Sequence, residues 1–173
     1  MSLETTAFNG KPVELLEELP GINQEAFDFT FVKPDLSESS LYDFEDKVKV
    51  LIAVPTIDTG IFQKDVRQFN ERLAKKKGVV GIIISKDLPF AMKRFSEAEG
   101  LTNTNIVSAS DFRYLDFTRE YGTEMVDGPL KGLSARAVFV VDQNNKIRYV
   151  ELTPDITLEP DYDKAIAEVD KLL

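Results

Sequence analysis

Two near-continuous apolar runs, Val48 to Val54 and Val79 to Ser85, constrain this chain more than any other feature. Lys49 is the only charge in either run, so neither strand has a polar face to turn toward water. A strand that is apolar on both faces must be covered on both, as in the middle of a parallel sheet. Between the runs, Phe62, Val66, Phe69 and Leu73 recur at i, i+4, i+7 and i+11, one stripe of a helix, with Lys64, Asp65, Arg67, Gln68 and Arg72 on the other faces. The spacing predicts strand, helix, strand with a right-handed parallel crossover. Asp58 or Thr59 can cap the helix start and Gly78 can close its end. Lys75-Lys76-Lys77 then falls where cations suit the negative end of the helix dipole.

The flanking sequence extends this core. Asn9-Gly10 favours a two-residue hairpin turn, pairing Thr5–Phe8 with Pro12–Leu16. Phe27 to Val32 alternates like a strand with one buried face, and Pro34-Asp35 marks a turn. A helix starts near Pro89 with Ala91, Phe95 and Ala98 on one side, leaving Ser96 off the stripe and exposed. Ile106 to Ala109 reads as a strand, Phe112 to Tyr121 as a short helix closed by Gly122, and Ala135 to Val141 as a strand. A turn at Gln143-Asn144-Asn145 leads to its hairpin partner, Ile147 to Leu152. Tyr162 to Leu173 is a terminal helix with Ala165, Ile166, Val169 and Leu172 as its stripe. The expected fold is α/β and thioredoxin-like: an N-terminal β-hairpin, a central mixed sheet and flanking helices, in a single domain over 1–173.

Composition removes whole classes of chemistry. The 173 residues include no Cys and no His, so disulfides, thiolate nucleophiles, imidazole bases and Cys- or His-ligated metals are excluded. A net charge of −9 argues against a nucleic-acid partner. No apolar run approaches the ~20 residues needed to span a bilayer, and the start lacks a basic, apolar leader; a cytoplasmic protein is expected. Asp58, Asp111, Asp116 and Asp127 lack calcium-loop spacing, and there is no phosphate-binding glycine loop. No metal or cofactor is expected.

After the first apolar run the sequence reads Pro55-Thr56-Ile57-Asp58-Thr59-Gly60-Ile61-Phe62. This resembles the peroxiredoxin active-site loop, Pro-x-x-x-Thr-x-x-Cys, with Phe at the Cys position. Arg67-Gln68-Phe69-Asn70, Asp87-Leu88-Pro89-Phe90, Ala98-Glu99-Gly100-Leu101, Asp127-Gly128-Pro129-Leu130, Ala135-Arg136-Ala137 and Glu159-Pro160-Asp161-Tyr162 are similar to the bacterial thiol peroxidase subfamily. The similarity runs from about Phe8 to the C-terminus.

That resemblance implies thioredoxin-dependent reduction of hydroperoxides. A peroxidatic thiolate attacks the O–O bond and becomes a sulfenic acid, which a resolving Cys converts to a disulfide. It implies that Pro55 shields the thiolate, Thr59 contacts the peroxide and Arg136 polarises it. Phe62 stands at the peroxidatic position. Ser96 stands at the resolving one, 34 positions on, with Glu97 where a Gly is usual. Phenyl cannot attack a peroxide and a Ser hydroxyl cannot form a disulfide. Met92 and Met125 could be oxidised, but turn over only with a separate reductase.

The chain is therefore expected to be an inactive homologue, a pseudoenzyme or binding module; the alternative is a Cys-replaced variant of an active antioxidant thiol peroxidase. The resemblance implies a homodimer packed beside the active-site loop, and thioredoxin as partner only if cysteines were present. The residues alone allow plainer roles. Phe62 continues the helix stripe as packing or adds to an apolar contact surface; Thr59 is a helix cap; Arg136, on a strand, reaches the pocket or pairs with an acid.

Overall fold

The computed structural model describes residues 3–102 and 104–173. The first central run is β5 (Val48–Ala53) and the second is β6 (Val79–Ser85), each buried throughout. They pair in parallel, with α1 (Gly60–Leu73) between them in sequence. The stripe Phe62, Val66, Phe69 and Leu73 is buried on α1, as its period requires. Gly81 leaves room for two side chains: a Cβ there would lie 2.7 Å from Ile106 and 3.0 Å from Leu73, the last residue of α1.

Around this pair lie β1 (Thr5–Phe8), β2 (Lys11–Glu14), β3 (Thr30–Val32), β4 (Glu38–Ser40), β7 (Ile106–Ser110), β8 (Ala137–Val141) and β9 (Ile147–Leu152). The main sheet has the order β4-β3-β7-β6-β5-β8-β9. β5, β6 and β7 are mutually parallel, while β3, β4, β8 and β9 join antiparallel to their neighbours. The mixed sheet carries α2 (Pro89–Glu99), α3 (Asp116–Glu120) and α4 (Tyr162–Leu172) in addition to α1. No helix among the described residues is long and apolar enough to cross a membrane.

β1 and β2 form a separate hairpin. Asn9 and Gly10 both take positive φ, 53° and 81°, the backbone that Asn-Gly tolerates best. β2 stops at Glu14, and Leu15 instead bridges to Met125. Asp155 fixes the turn from outside, accepting the amides of Asn9 and Gly10 as well as the Thr157 amide and hydroxyl.

Several boundaries differ from expectation for local reasons. Only Thr30–Val32 of the Phe27–Val32 alternation is strand. Carboxylates take the backbone donors there instead of a ladder: Asp28 accepts from Phe29, and Asp116 from Thr30. β4 is a polar Glu-Ser-Ser segment with no apolar alternation to announce it, and a 3-10 turn, Leu41–Phe44, follows. The helix expected over Phe112–Tyr121 shrinks to Asp116–Glu120, because Leu115 is left-handed (φ 59°) and the Asp111 carboxylate accepts the amides of Phe117 and Thr118.

The Gly78 cap is also corrected. α1 ends at Ala74 in right-handed geometry, and Gly78 (φ 77°) leads into β6 while its carbonyl accepts the Val48 amide. On α2 the buried face is Pro89, Met92 and Phe95; Met92 replaces Ala98, which is exposed.

The Asp155 carboxyl is held below the usual carboxylate range, because hydrogen bonds from Thr157, Gly10 and Asn9 outweigh the effect of burial. Its stabilisation is complete above the unfolded value of about 3.9 and is lost as pH falls through the lower folded value. Asp155→Ala should lower stability to urea at pH 7 by roughly 1–3 kcal/mol. The deficit relative to the unaltered protein should shrink below pH 4, as measured by urea titrations at both pH values.

Candidate active site

The site lies at the C-terminal ends of β5 and β6, where the chain turns into α1 and α2. Pro55 is buried just after β5. The loop beyond it is tied down by Asp87, which accepts the Thr56 hydroxyl at 2.7 Å and the Ile57 amide at 2.8 Å. The Thr56 hydroxyl in turn accepts the Asp58 amide at 3.0 Å. Ser85 also donates to Asp87. Asp87 is a positioning residue that residue-by-residue reading missed; the only signal was its place in the Asp87-Leu88-Pro89 motif.

Thr59 is the residue before the first turn of α1, with extended backbone (φ −132°, ψ 145°). Its side chain is exposed and makes no capping hydrogen bond; its carbonyl accepts the Gln63 amide at 3.0 Å. Thr59 thus holds the cap position without acting as a side-chain cap.

Phe62 follows in the first turn, where free amides and the helix dipole favour a negative group. A phenyl ring offers none. The ring is turned inward and only 5% exposed. This excludes Phe62 as an exposed contact surface on the chain described, and makes it part of the core.

Above that ring lies Arg136, its guanidinium carbon 5.4 Å from the ring centroid, a cation–π contact. Arg136 precedes β8 instead of lying within it. Its side chain is wholly buried and committed to protein acceptors. Nε donates to Asp65 Oδ2 at 2.9 Å, and Nη2 donates to Asp65 Oδ1 and to the Ile61 carbonyl. Nη1 donates to the Ile156 carbonyl at 3.1 Å.

Arg136 therefore pairs with an acid, and it does so beside the start of α1. Asp65, on the same helix as Phe62, is the partner that stripe analysis had placed on a polar face; it is 1% exposed. Burial pushes the Asp65 carboxyl above the usual range against the pull of Arg136 and Tyr162. Burial also opposes the charge of Arg136, but contact with Asp65 prevails and raises it.

Ser96 is not with this group. It lies on α2, half-buried instead of exposed, with its Oγ 2.9 Å from Ser108 Oγ on β7. The two hydroxyls border a cleft of about 360 Å³ with Pro34, Leu101 and Ile106. The structure thus brings together the Pro55–Thr59 loop, Phe62 and Arg136, and leaves Ser96 against the sheet. Among the described residues no cluster of acids could hold a metal ion.

The redoxin family model matches residues 22–166. The chain belongs to the redoxin family.

This redoxin is 49% identical to a thiol peroxidase of Leptospira interrogans over 164 residues, covering 95% of the chain and 96% of the relative. It is 40% identical to a thiol peroxidase of Aquifex aeolicus over 169 residues, 98% of each. A crystal structure of a peroxiredoxin-like protein from Aquifex aeolicus superposes with a TM-score of 0.93 at 38% identity, covering 99% of both chains. A thiol peroxidase from Chromobacterium violaceum shares the fold, with a TM-score of 0.88 at 20% identity over 97% of this chain and 96% of its own. The thioredoxin-like α/β fold and the membership of a thiol peroxidase lineage stand together, in a redoxin with no cysteine.

The buried pair makes a direct prediction about this redoxin. Removing one partner of a buried ion pair strands the other charge and costs about 3–5 kcal/mol. Asp65→Ala should lose that much stability to urea, whereas Thr59→Ala, which removes no capping bond, should change it by under about 0.5 kcal/mol.

Proposed function

We propose that this redoxin no longer reduces hydroperoxides and acts as a non-catalytic homologue of the thiol peroxidases. The observation that carries this reading is Phe62. It occupies the helix position at which the family resemblance expects the peroxidatic thiolate, and it packs its ring against the one guanidinium that would polarise a peroxide. The ring is buried and Arg136 has no exposed surface, so a hydroperoxide has no route to that guanidinium. The second redox position holds Ser96, whose hydroxyl is spent on Ser108. Thioredoxin would find no disulfide to reduce.

What persists is the framework. Pro55 still ends the central strand, Asp87 still sets the loop, and Arg136 is still held beside the start of α1. Ile61 and Phe90 are exposed on the first turns of α1 and α2, Phe90 at 64%, and Leu88 is exposed just before α2. Apolar side chains beside a polar loop support a homodimer through this face. The role left to such a molecule is binding, as a dimer, without turnover.

Hydroperoxide consumption coupled to thioredoxin and its reductase tests the reading. The chain as it stands should show no turnover above the uncatalysed rate. Phe62→Cys combined with Ser96→Cys should restore measurable turnover, because the supporting loop and Arg136 remain. Turnover by the unaltered chain contradicts the proposal. A folded but silent double variant contradicts the retained framework.

A further inference from the structure

The cleft of about 360 Å³ beside Ser96 lies between α2, β7 and the turn after β3. It shares no lining residue with the Pro55–Thr59 loop, Phe62 or Arg136. Its volume falls in the ~300–1,000 Å³ range of small-molecule sites.

Ser96 on α2 and Ser108 on β7 both border it, joined Oγ to Oγ at 2.9 Å. A hydroxyl has one proton to donate and two lone pairs to accept with. Whichever of the two donates, the contact uses one proton and leaves the other. Among the described residues neither hydroxyl has a second partner. Ser108 is only 7% exposed, and a buried donor without an acceptor is costly. An acceptor seated in the cleft can take the spare proton.

The rest of the lining restricts what that acceptor can be. Pro34, Leu101 and Ile106 make the walls apolar. Exposed charges of both signs border the opening: Lys93 and Glu97 from α2, and Asp35, which already accepts the Ser37 amide and hydroxyl. An ammonium has no lone pair for the spare proton and would stand near Lys93. A carboxylate could accept it, but would meet Glu97 and Asp35 and give up its water to apolar walls. A neutral carbonyl accepts the proton and loses far less on leaving water.

We infer that this cleft binds small, uncharged, mainly apolar molecules carrying a carbonyl oxygen, with the Ser96–Ser108 pair donating to that oxygen. The apolar part of the ligand covers Leu101 and Ile106. Binding asks no reaction of Ser96, so it is measured apart from peroxide turnover.

The experiment is a nitrogen-15 NMR titration of the whole chain with three probes of similar shape: acetophenone, ethylbenzene and benzoate. Acetophenone should shift the amides of Ser96, Leu101, Ile106 and Ser108 saturably. It should bind roughly two- to tenfold tighter than ethylbenzene, the size of one net hydrogen bond, and tighter than benzoate. In the double variant Ser96→Ala with Ser108→Ala its affinity should fall to that of ethylbenzene. Equal binding of acetophenone and ethylbenzene, tighter binding of benzoate, or saturable shifts confined to other residues would overturn the inference. So would a double variant that keeps the preference for the carbonyl. Should that variant fail to fold, the ranking of the three probes on the unaltered chain decides by itself.

Discussion

The pairing of Arg136 with Asp65 holds the functional end of this molecule together. A guanidinium with no solvent contact is tolerable only if its nitrogens are partnered, and four contacts engage all three of them, using four of the five N–H donors: two to Asp65, one to Ile61 and one to Ile156. Those partners come from the first turns of α1 and from the segment between β9 and α4. The same segment supplies Asp155 to the N-terminal hairpin, and the Ile156 amide donates to Ala7. One buried ion pair thus fixes the entry of α1 relative to the central strands and, through a short strap, the seat of the hairpin.

Phe62 takes its meaning from this arrangement. At the first turn of a helix, next to a guanidinium, the field favours an anion. The chain places a ring there. The ring completes the apolar stripe of α1 and meets the cation by its π face, a neutral substitute for a negative partner. On the proposed reading, core continuity and loss of chemistry are the same substitution: what helps the helix pack would remove the nucleophile and close the access to Arg136.

Much of the scaffold was legible in the residues because local rules and tertiary packing agreed. The two apolar runs and the stripe between them could only be central strands and a covering helix, and Asn9-Gly10 could hardly be other than a hairpin turn. Reading failed where side chains replaced backbone partners. Asp28, Asp111 and Asp116 take amides that a strand or helix would have used, and no periodicity announces that. The site was legible in part. Phe62 and Arg136 could be named from motif resemblance, but their contact could not. Asp65 looked like a solvent-facing member of a helix, because a stripe counts only apolar positions. Ser96 looked exposed for the same reason, and its pairing with Ser108 depends on sheet order, which no local pattern encodes.

The central claim is that the molecule keeps a peroxidase framework without a reacting atom. Its most direct test is a single-turnover titration: the unaltered chain mixed with one equivalent of hydroperoxide, with residual peroxide and intact protein mass measured over time. Peroxide should persist at the level of a protein-free control, and any added oxygen should map only to Met1, Met92 or Met125 and accumulate slowly, since Met92 and Met125 are buried. Rapid loss of one equivalent of peroxide per chain, or oxygen fixed on any other residue, would contradict it.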